Sequence, residues 1–322
     1  MTIQIDQTIA GKTIREYLRG DLGYSVGMLK RLKFMPGGIT INGEFVTVRY
    51  VLQEGDLLHL SAEDREEDTC PYMIPADLPL PVVYEDDHLT AVDKPPDMPA
   101  HPSHGHRLDT VANALAFRYA DAPFVFRPVN RLDRDTSGLM LTARTRLAAS
   151  KMYQHMIAGR IRKLYVAILC GAPPESAGEI RLPICRCADS VIKRRIAEPD
   201  EAKAKEAHTL YRVLAAGEKY AVVLAAPITG RTHQLRVHFA ALGCPLAGDT
   251  LYGGSDADVA RHALHAAHLS FPHPESGARV SLYSPLREDM AALCPVPPAD
   301  LERAVRAESE RYFEDVRCGY GQ

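Results

Sequence analysis

Beyond about residue 82 the chain runs in short segments of alternating or unbroken apolar residues: PVVYEDDHLTAVDKP, LMLTART, KLYVAILC, LYRVLAAG, KYAVVLAAP and ARVSLYS. Successive side chains of a strand point to opposite faces, so a period of two marks a half-buried strand and an unbroken apolar run marks one covered on both faces. The polar turns Glu85-Asp86-Asp87 and Gly217-Glu218-Lys219 join neighbouring segments directly, which predicts antiparallel pairing. Fewer stretches carry the helical period: TVANALAFRYA, RLAASKMYQHMIAG, THQLRVHFAALG and LERAVRAESERYFEDV. Without regular βαβ alternation, and without a glycine fingerprint opening a helix after the first strand, the expected class is α+β with a mostly antiparallel sheet and not a Rossmann domain.

The first sixty residues form a different unit. Ile14, Tyr17 and Leu18 recur at helical spacing; Ser25 is placed to cap a second helix that carries Val26, Leu29 and Leu32 inward and Lys30, Arg31 and Lys33 outward. Asn42-Gly43 within ITINGEFVTV is a strong two-residue hairpin signal. Residues 61–81 are acidic and then rich in proline (Pro71, Pro75, Pro79, Pro81). Proline removes a donor and stiffens the chain against helix and sheet alike, so this stretch reads as a linker. The expected organisation is a small domain over 1–60, a linker over 61–81, a main domain over 82–295 and a helical extension over 296–322. No repeat is visible.

Composition changes this picture little. At 322 residues, with 46% hydrophobic and 25% charged, the chain suits a soluble two-domain protein with a real core. Five acids and one arginine in SAEDREEDTC contribute −4, so the formal net charge of −3 leaves +1 for the remainder. Any basic footprint must therefore be local. The N-terminus lacks a basic segment followed by an apolar core, and no run approaches a membrane span, so a cytoplasmic protein without membrane contact is expected, acting as a monomer. The seven cysteines are odd in number, and Cys185-x-Cys187 has no partner at ligand spacing; neither a disulfide nor a metal site is expected.

Candidate chemistry concentrates in VNRLDRDTSG, residues 129–138, which places Arg131, Asp133, Arg134 and Asp135 in a turn ahead of an apolar strand. Taken alone, such a loop pairs its own charges in solvent. Two other segments add weight. ITGRTHQLRVHFAALG sets Arg231 after Gly230 and before a Thr232 able to cap a helix, a position suited to holding a carboxylate or phosphate. RKLYVAIL alternates Lys163 and Tyr165 on one face of a strand. A phosphatase of the D-x-D-x-T kind is a competing reading of Asp133 and Asp135, but Asn130 and Arg131 interrupt the apolar run that should precede it, and Ser137 stands in the place of Thr or Val.

DKPPDMPAHPS, RLDRDTSG, KLYVAIL, GRTHQLRVHFAALGCPLAGDTLYG and LHAAHLSFPHPESG, in this order across residues 83 to about 285, resemble the successive motifs of the RluA family of RNA pseudouridine synthases. The first sixty residues resemble an S4 RNA-binding module, an appendage of one subgroup. The resemblance implies that Asp133 is the catalytic aspartate, with Tyr165 and Arg231 beside it, and that no cofactor is required. It departs from the family at Asn130, usually His, and at Asp97, usually Gly, although Asp tolerates unusual backbone geometry better than most residues.

The implied reaction breaks the C1′–N1 bond of a uridine, turns the base and joins C1′ to C5. A carboxylate serves either as nucleophile or as a base at C2′ that opens a glycal route, and both remain open. Arg231 is expected to keep Asp133 ionised and aimed, and Tyr165 to stack on the turned uracil. The target must be extruded from folded RNA, so phosphate contacts are expected from Arg134, Arg236, Lys193, Arg194 and Arg195, together with Lys30, Arg31 and Lys33 of the S4-like unit. The resemblance favours rRNA over tRNA. An S4 protein that only binds RNA would leave the Asp, Tyr and Arg motifs without a role.

Overall fold

The computed structural model describes residues 2–24, 26–61 and 73–319, the side chains of 312–319 excepted. Ser25, the expected helix cap, and the acidic stretch of the linker lie outside the described residues.

The N-terminal unit comprises β1 (Thr2–Gln4), α1 (Ile14–Glu16) continuing into a π-helical turn over Tyr17–Asp21, α2 (Val26–Phe34), β2 (Ile39–Ile41), β3 (Glu44–Phe45) and β4 (Leu57–Leu60). Its sheet runs β1-β4-β2-β3. Thr13 and Glu16 satisfy each other's backbone N–H in a capping box, at 3.2 and 2.8 Å. Asn42 and Gly43 take the positive φ of a tight hairpin, 51° and 86°. Leu18, Leu32, Ile39, Leu58 and Leu60 form a separate core. Val26, expected inward, is 63% exposed, because α2 turns Met28, Leu29 and Leu32 to that core instead. Leu147 of the next unit packs on the same core, and Ser150 Oγ donates to Gly23 O at 3.1 Å.

The main unit contains β5 (Val82–Glu85), β6 (Leu89–Lys94), α3 (Val111–Arg118), β7 (Ser137–Ala143), α4 (Arg146–Ile157), β8 (Arg162–Cys170), β9 (Ala177–Ile180), β10 (Ile184–Arg186), β11 (Arg194–Ile196), β12 (Thr209–Ala216), β13 (Tyr220–Pro227), α5 (Gln234–Ala241), β14 (Leu264–Pro272), β15 (Arg279–Tyr283), α6 (Glu288–Ala291) and α7 (Pro298–Gly319). A nine-stranded sheet runs β5-β6-β7-β14-β8-β13-β12-β9, with β15 on β14; β10 and β11 form a separate hairpin. Among the described residues, β7 and β14 pair in parallel and the other ladders are antiparallel. The class is mixed α and β with a mainly antiparallel sheet.

Both faces of the sheet are covered, as the apolar runs require. Tyr165, Ala167 and Leu169 of β8 join Val92, Met140, Val223 and residues of α3 and α5 in one core. On the other face, Leu139 and Leu141 meet α4, and Val166 meets Leu301 and Val305 of α7. No helix among the described residues is long and apolar enough to cross a membrane.

Candidate active site

The turn that carries Asp133 is held rigidly. Thr136 N donates to Asp133 O at 3.1 Å, closing it. Lys94 Nζ, at the end of β6, donates to Arg134 O at 2.7 Å, and Arg261 Nη1 donates to Asp135 O at 2.9 Å, so two basic side chains hold successive carbonyls. Arg261 is itself anchored by Asp289 at 2.6 and 3.0 Å. Thr136 Oγ1 lies 2.8 Å from His262 Nε2. Ser137 Oγ lies 2.9 Å from His265 Nδ1, whose Nε2 donates to Ser284 O at 3.1 Å. Burial holds the His262 and His265 pKa values down to about 2 and about 4, so both rings are neutral. Gly138 follows at φ 105°; a Cβ there would stand 2.4 Å from Ala266 O, so only glycine lets β7 begin beside β14.

Both departures from the family pattern have a local account. Asn130 Nδ2 donates to Leu139 O at 3.2 Å and its Oδ1 accepts from Leu141 N at 2.7 Å, extending the ladder of β7 by a side chain. Asp97 adopts φ 57°, a conformation glycine takes freely and Asp tolerates.

Asp133 opens into a cleft of about 610 Å³, lined also by Asn130, Lys163, Tyr165, Arg231, His233 and Arg236. Tyr165 lies between the small cross-strand neighbours Ala225 and Ala266 and is 7% exposed. Burial first, and then the Asp133 charge, raise its phenol, which stays protonated. Lys163 joins it in the cleft, its ammonium pushed down by burial.

The two arginines of the GRTHQLR stretch do not lie as expected. Arg231 Nε donates to Glu206 O at 2.8 Å on the exposed rim and makes no described ion pair with Asp133. Arg236, expected on RNA phosphate, is 7% exposed and instead lies beside the aspartate, Nη1 to Oδ2 at 3.6 Å. Its Nε and Nη2 are taken by Asp249, both at 2.7 Å, and Tyr252 lies under it at 5.0 Å. The reason is the backbone between them. Thr232 does not cap the helix; His233 is the N-cap, at φ 57°. Gln234 binds the preceding turn, accepting from Thr229 Oγ1 at 2.6 Å and Arg231 N at 3.0 Å. This reversal turns Arg231 outward and Arg236 inward.

His233, Lys94 and Asp249 were not singled out from sequence. Tyr252 Oη accepts from Arg194 N at 2.9 Å and lies 2.8 Å from His233 Nδ1, while the other ring nitrogen, Nε2, stands 3.9 Å from Asp133 Oδ2. The visible signals were His233 inside the arginine motif and Asp249 within AGDTLYG, in the segment that follows the same helix.

The expected phosphate contacts are dispersed. Lys30, Arg31 and Lys33 are exposed on α2, and Lys193 is exposed near the β10–β11 hairpin. Arg194 Nη1 folds onto the carbonyls of Val191, Ile192 and Lys193 at 2.8 to 3.2 Å, and Arg195 pairs with Glu201. Arg134 stands at the cleft rim against Asp135, its side chain half exposed.

Residues 88–241 match the family of RNA pseudouridylate synthases. The uncharacterized RNA pseudouridine synthase YjbO of Bacillus subtilis is 40% identical over 87% of this chain and 98% of its own length. The ribosomal large subunit pseudouridine synthase D of Pseudomonas aeruginosa is 34% identical over 94% of each. Among solved structures, human RNA pseudouridylate synthase domain containing 1 superposes with a TM-score of 0.57 at 30% identity, over 71% of this chain and 95% of that one.

Proposed function

The chain belongs to the RNA pseudouridine synthases and isomerises uridine in RNA; from that premise we propose that Asp133 is the reacting carboxylate and that large-subunit rRNA carries the target. The observation that carries this reading is the pairing of Asp133 with Arg236 inside the cleft, at 3.6 Å. A guanidinium there supplies a counter-charge beside the carboxylate that either route requires. Arg236 thus takes the role expected of Arg231, while Arg231 on the rim suits the phosphate contact expected of Arg236.

Tyr165 supplies a flat, protonated ring at the cleft floor for the turned uracil. His233 turns Nε2 to the Asp133 side of the cleft, and Lys163 adds a cation whose charge burial has made labile. All of these groups come from one chain, which suits a monomer. The rRNA target is supported by the name of the Pseudomonas relative, a ribosomal large subunit pseudouridine synthase, and a cytoplasmic site of action suits such a target. The basic face of α2 suits phosphate, in keeping with an S4-like role for residues 1–60.

Mapping pseudouridine in rRNA and tRNA from cells with and without the gene tests the target. A position in large-subunit rRNA that loses its modification, and regains it with wild-type protein but not with Asp133→Asn, is the expected result. A loss confined to tRNA overturns the rRNA assignment, and rescue by Asp133→Asn overturns the catalytic one.

A further inference from the structure

Resting on the RNA-modifying activity above, we propose that the groove between α2 and α4 is a second RNA site, where Arg31, Arg127 and Arg146 hold phosphates of the strand flanking the target and Tyr153 stacks one of its bases. The groove encloses about 510 Å³. Gly27, Met28 and Arg31 form its N-terminal wall, and Arg127, Arg146 and Tyr153 line it from the main unit. It exists because the two units dock, through Leu147 in the N-terminal core and through Ser150 Oγ on Gly23 O.

Helix α4 is divided by function. Ala148 and Met152 face the sheet and are buried. Residues 146, 149, 153 and 156, at helical steps of three and four, form another stripe. The first three line the groove, and Met156 at the far end lines the active-site cleft. One helix stripe therefore runs from the groove to the cleft over about 15 Å, roughly four stacked nucleotides at ~3.4 Å each.

The lining chemistry selects a nucleic acid strand. Tyr153 is 50% exposed, and an open aromatic ring beside guanidinium groups matches the pairing of base stacking with backbone attraction that single-stranded RNA sites use. Arginine's planar fork matches phosphate geometry better than lysine's point charge. The site also gives the N-terminal unit a role that geometry defines: α2 supplies one wall of a track that leads to Asp133.

The test uses the full-length enzyme and two fluorescein-labelled oligouridines, one of about twenty nucleotides and a pentamer that fills only the cleft. Tyr153→Ala should weaken the long strand about tenfold, with Tyr153→Phe within about twofold of wild type. Arg146→Gln should reduce the salt slope of long-strand binding by about one. Pentamer affinity should not change for any of the three. Wild-type affinity and slope for the long strand in Tyr153→Ala and Arg146→Gln overturn the proposal. So does an equal loss for both strands, or a Tyr153→Phe variant as weak as Tyr153→Ala. Polyglutamate that displaces dye-labelled RNA as well as unlabelled RNA does would assign the groove to an acidic protein instead. These outcomes are read from binding alone, so a failure of the chemistry proposed for Asp133 shows separately, in tritium release.

Discussion

Arg236 and Asp249 form a buried bidentate pair, both bonds at 2.7 Å, that leaves a single guanidinium nitrogen directed at Asp133. The pair fixes the arginine, and the arginine in turn holds one nitrogen beside the carboxylate proposed to react. Arg236→Lys keeps the charge but cannot span both aspartates, so single-turnover tritium release from C5-labelled uridine in RNA should fall by about 10²-fold, ~2.7 kcal/mol of barrier. Arg231→Lys should leave that rate near wild type and weaken RNA binding. The reverse ranking returns the Asp133-holding role to Arg231.

Asp133→Asn removes nucleophile and base together while nearly preserving shape. Turnover should drop by at least ~10³-fold, about 4 kcal/mol. Asp135, which faces Arg134 at 3.0 Å, is the matched control, and Asp135→Asn should cost far less. Comparable losses in the two variants, measured under single-turnover conditions, remove Asp133 from its special place.

Acid should destabilise the main unit before it protonates most carboxylates. The His265 pKa is lowered from 6.5 to about 4 in the folded protein, as is that of His268. Between those values the unfolded chain binds protons that the folded one refuses, so stability is full above about 6.5 and falls as pH drops toward 4. His265 alone contributes roughly 3 kcal/mol to this fall. Urea midpoints should decline from pH 7 to pH 5, and His265→Asn should flatten the decline; a midpoint independent of pH across that window contradicts the buried neutral ring.

Gly138→Ala is expected to be severe. The added Cβ meets Ala266 backbone atoms at 2.4 to 2.8 Å, and φ 105° is itself unfavourable for alanine. A loss of several kcal/mol, seen as a large drop in Tm or as failure to fold, is the expected outcome. Gly217→Ala, at an open turn whose nearest neighbour stands 3.6 Å away, is the benign comparison.

The strand-length runs around β6, β8 and β13 were legible because the sheet's two covered faces leave continuous apolar letters. β14 was not. All of its residues but Pro272 are buried, yet LHAAHLSFP shows histidines where a buried strand should show aliphatic residues. Their rings are neutral, His265 bonded to Ser137 and Ser284 and His268 through Nε2 to Ser281, partners that only the packed structure supplies. Motif order singles out Asp133 and Tyr165, and the two line one cleft. The choice between Arg231 and Arg236 was not, because it turns on the positive φ of His233 and on Gln234 filling the turn before it, neither of which has a periodic signature. The N-terminal hairpin was legible from Asn42-Gly43 alone, whereas the orientation of Val26 required knowing which side of α2 meets the core.

The double clamp on the Asp133 turn, Lys94 on one carbonyl and Arg261 on the next, has a consequence for which uridines can be modified. A carboxylate carried on a turn whose backbone is clamped twice has only its own side-chain rotation with which to reach its target, so most of the approach falls to the nucleotide. The rate at a given position then scales with how often the RNA itself presents that base unpaired and swung outward, an opening that costs ~a few kcal/mol in a helix and less in a loop. Selection of the site is thereby handed to RNA folding: the same rigid enzyme reads a mature, structured transcript and a nascent, open one as two different substrates.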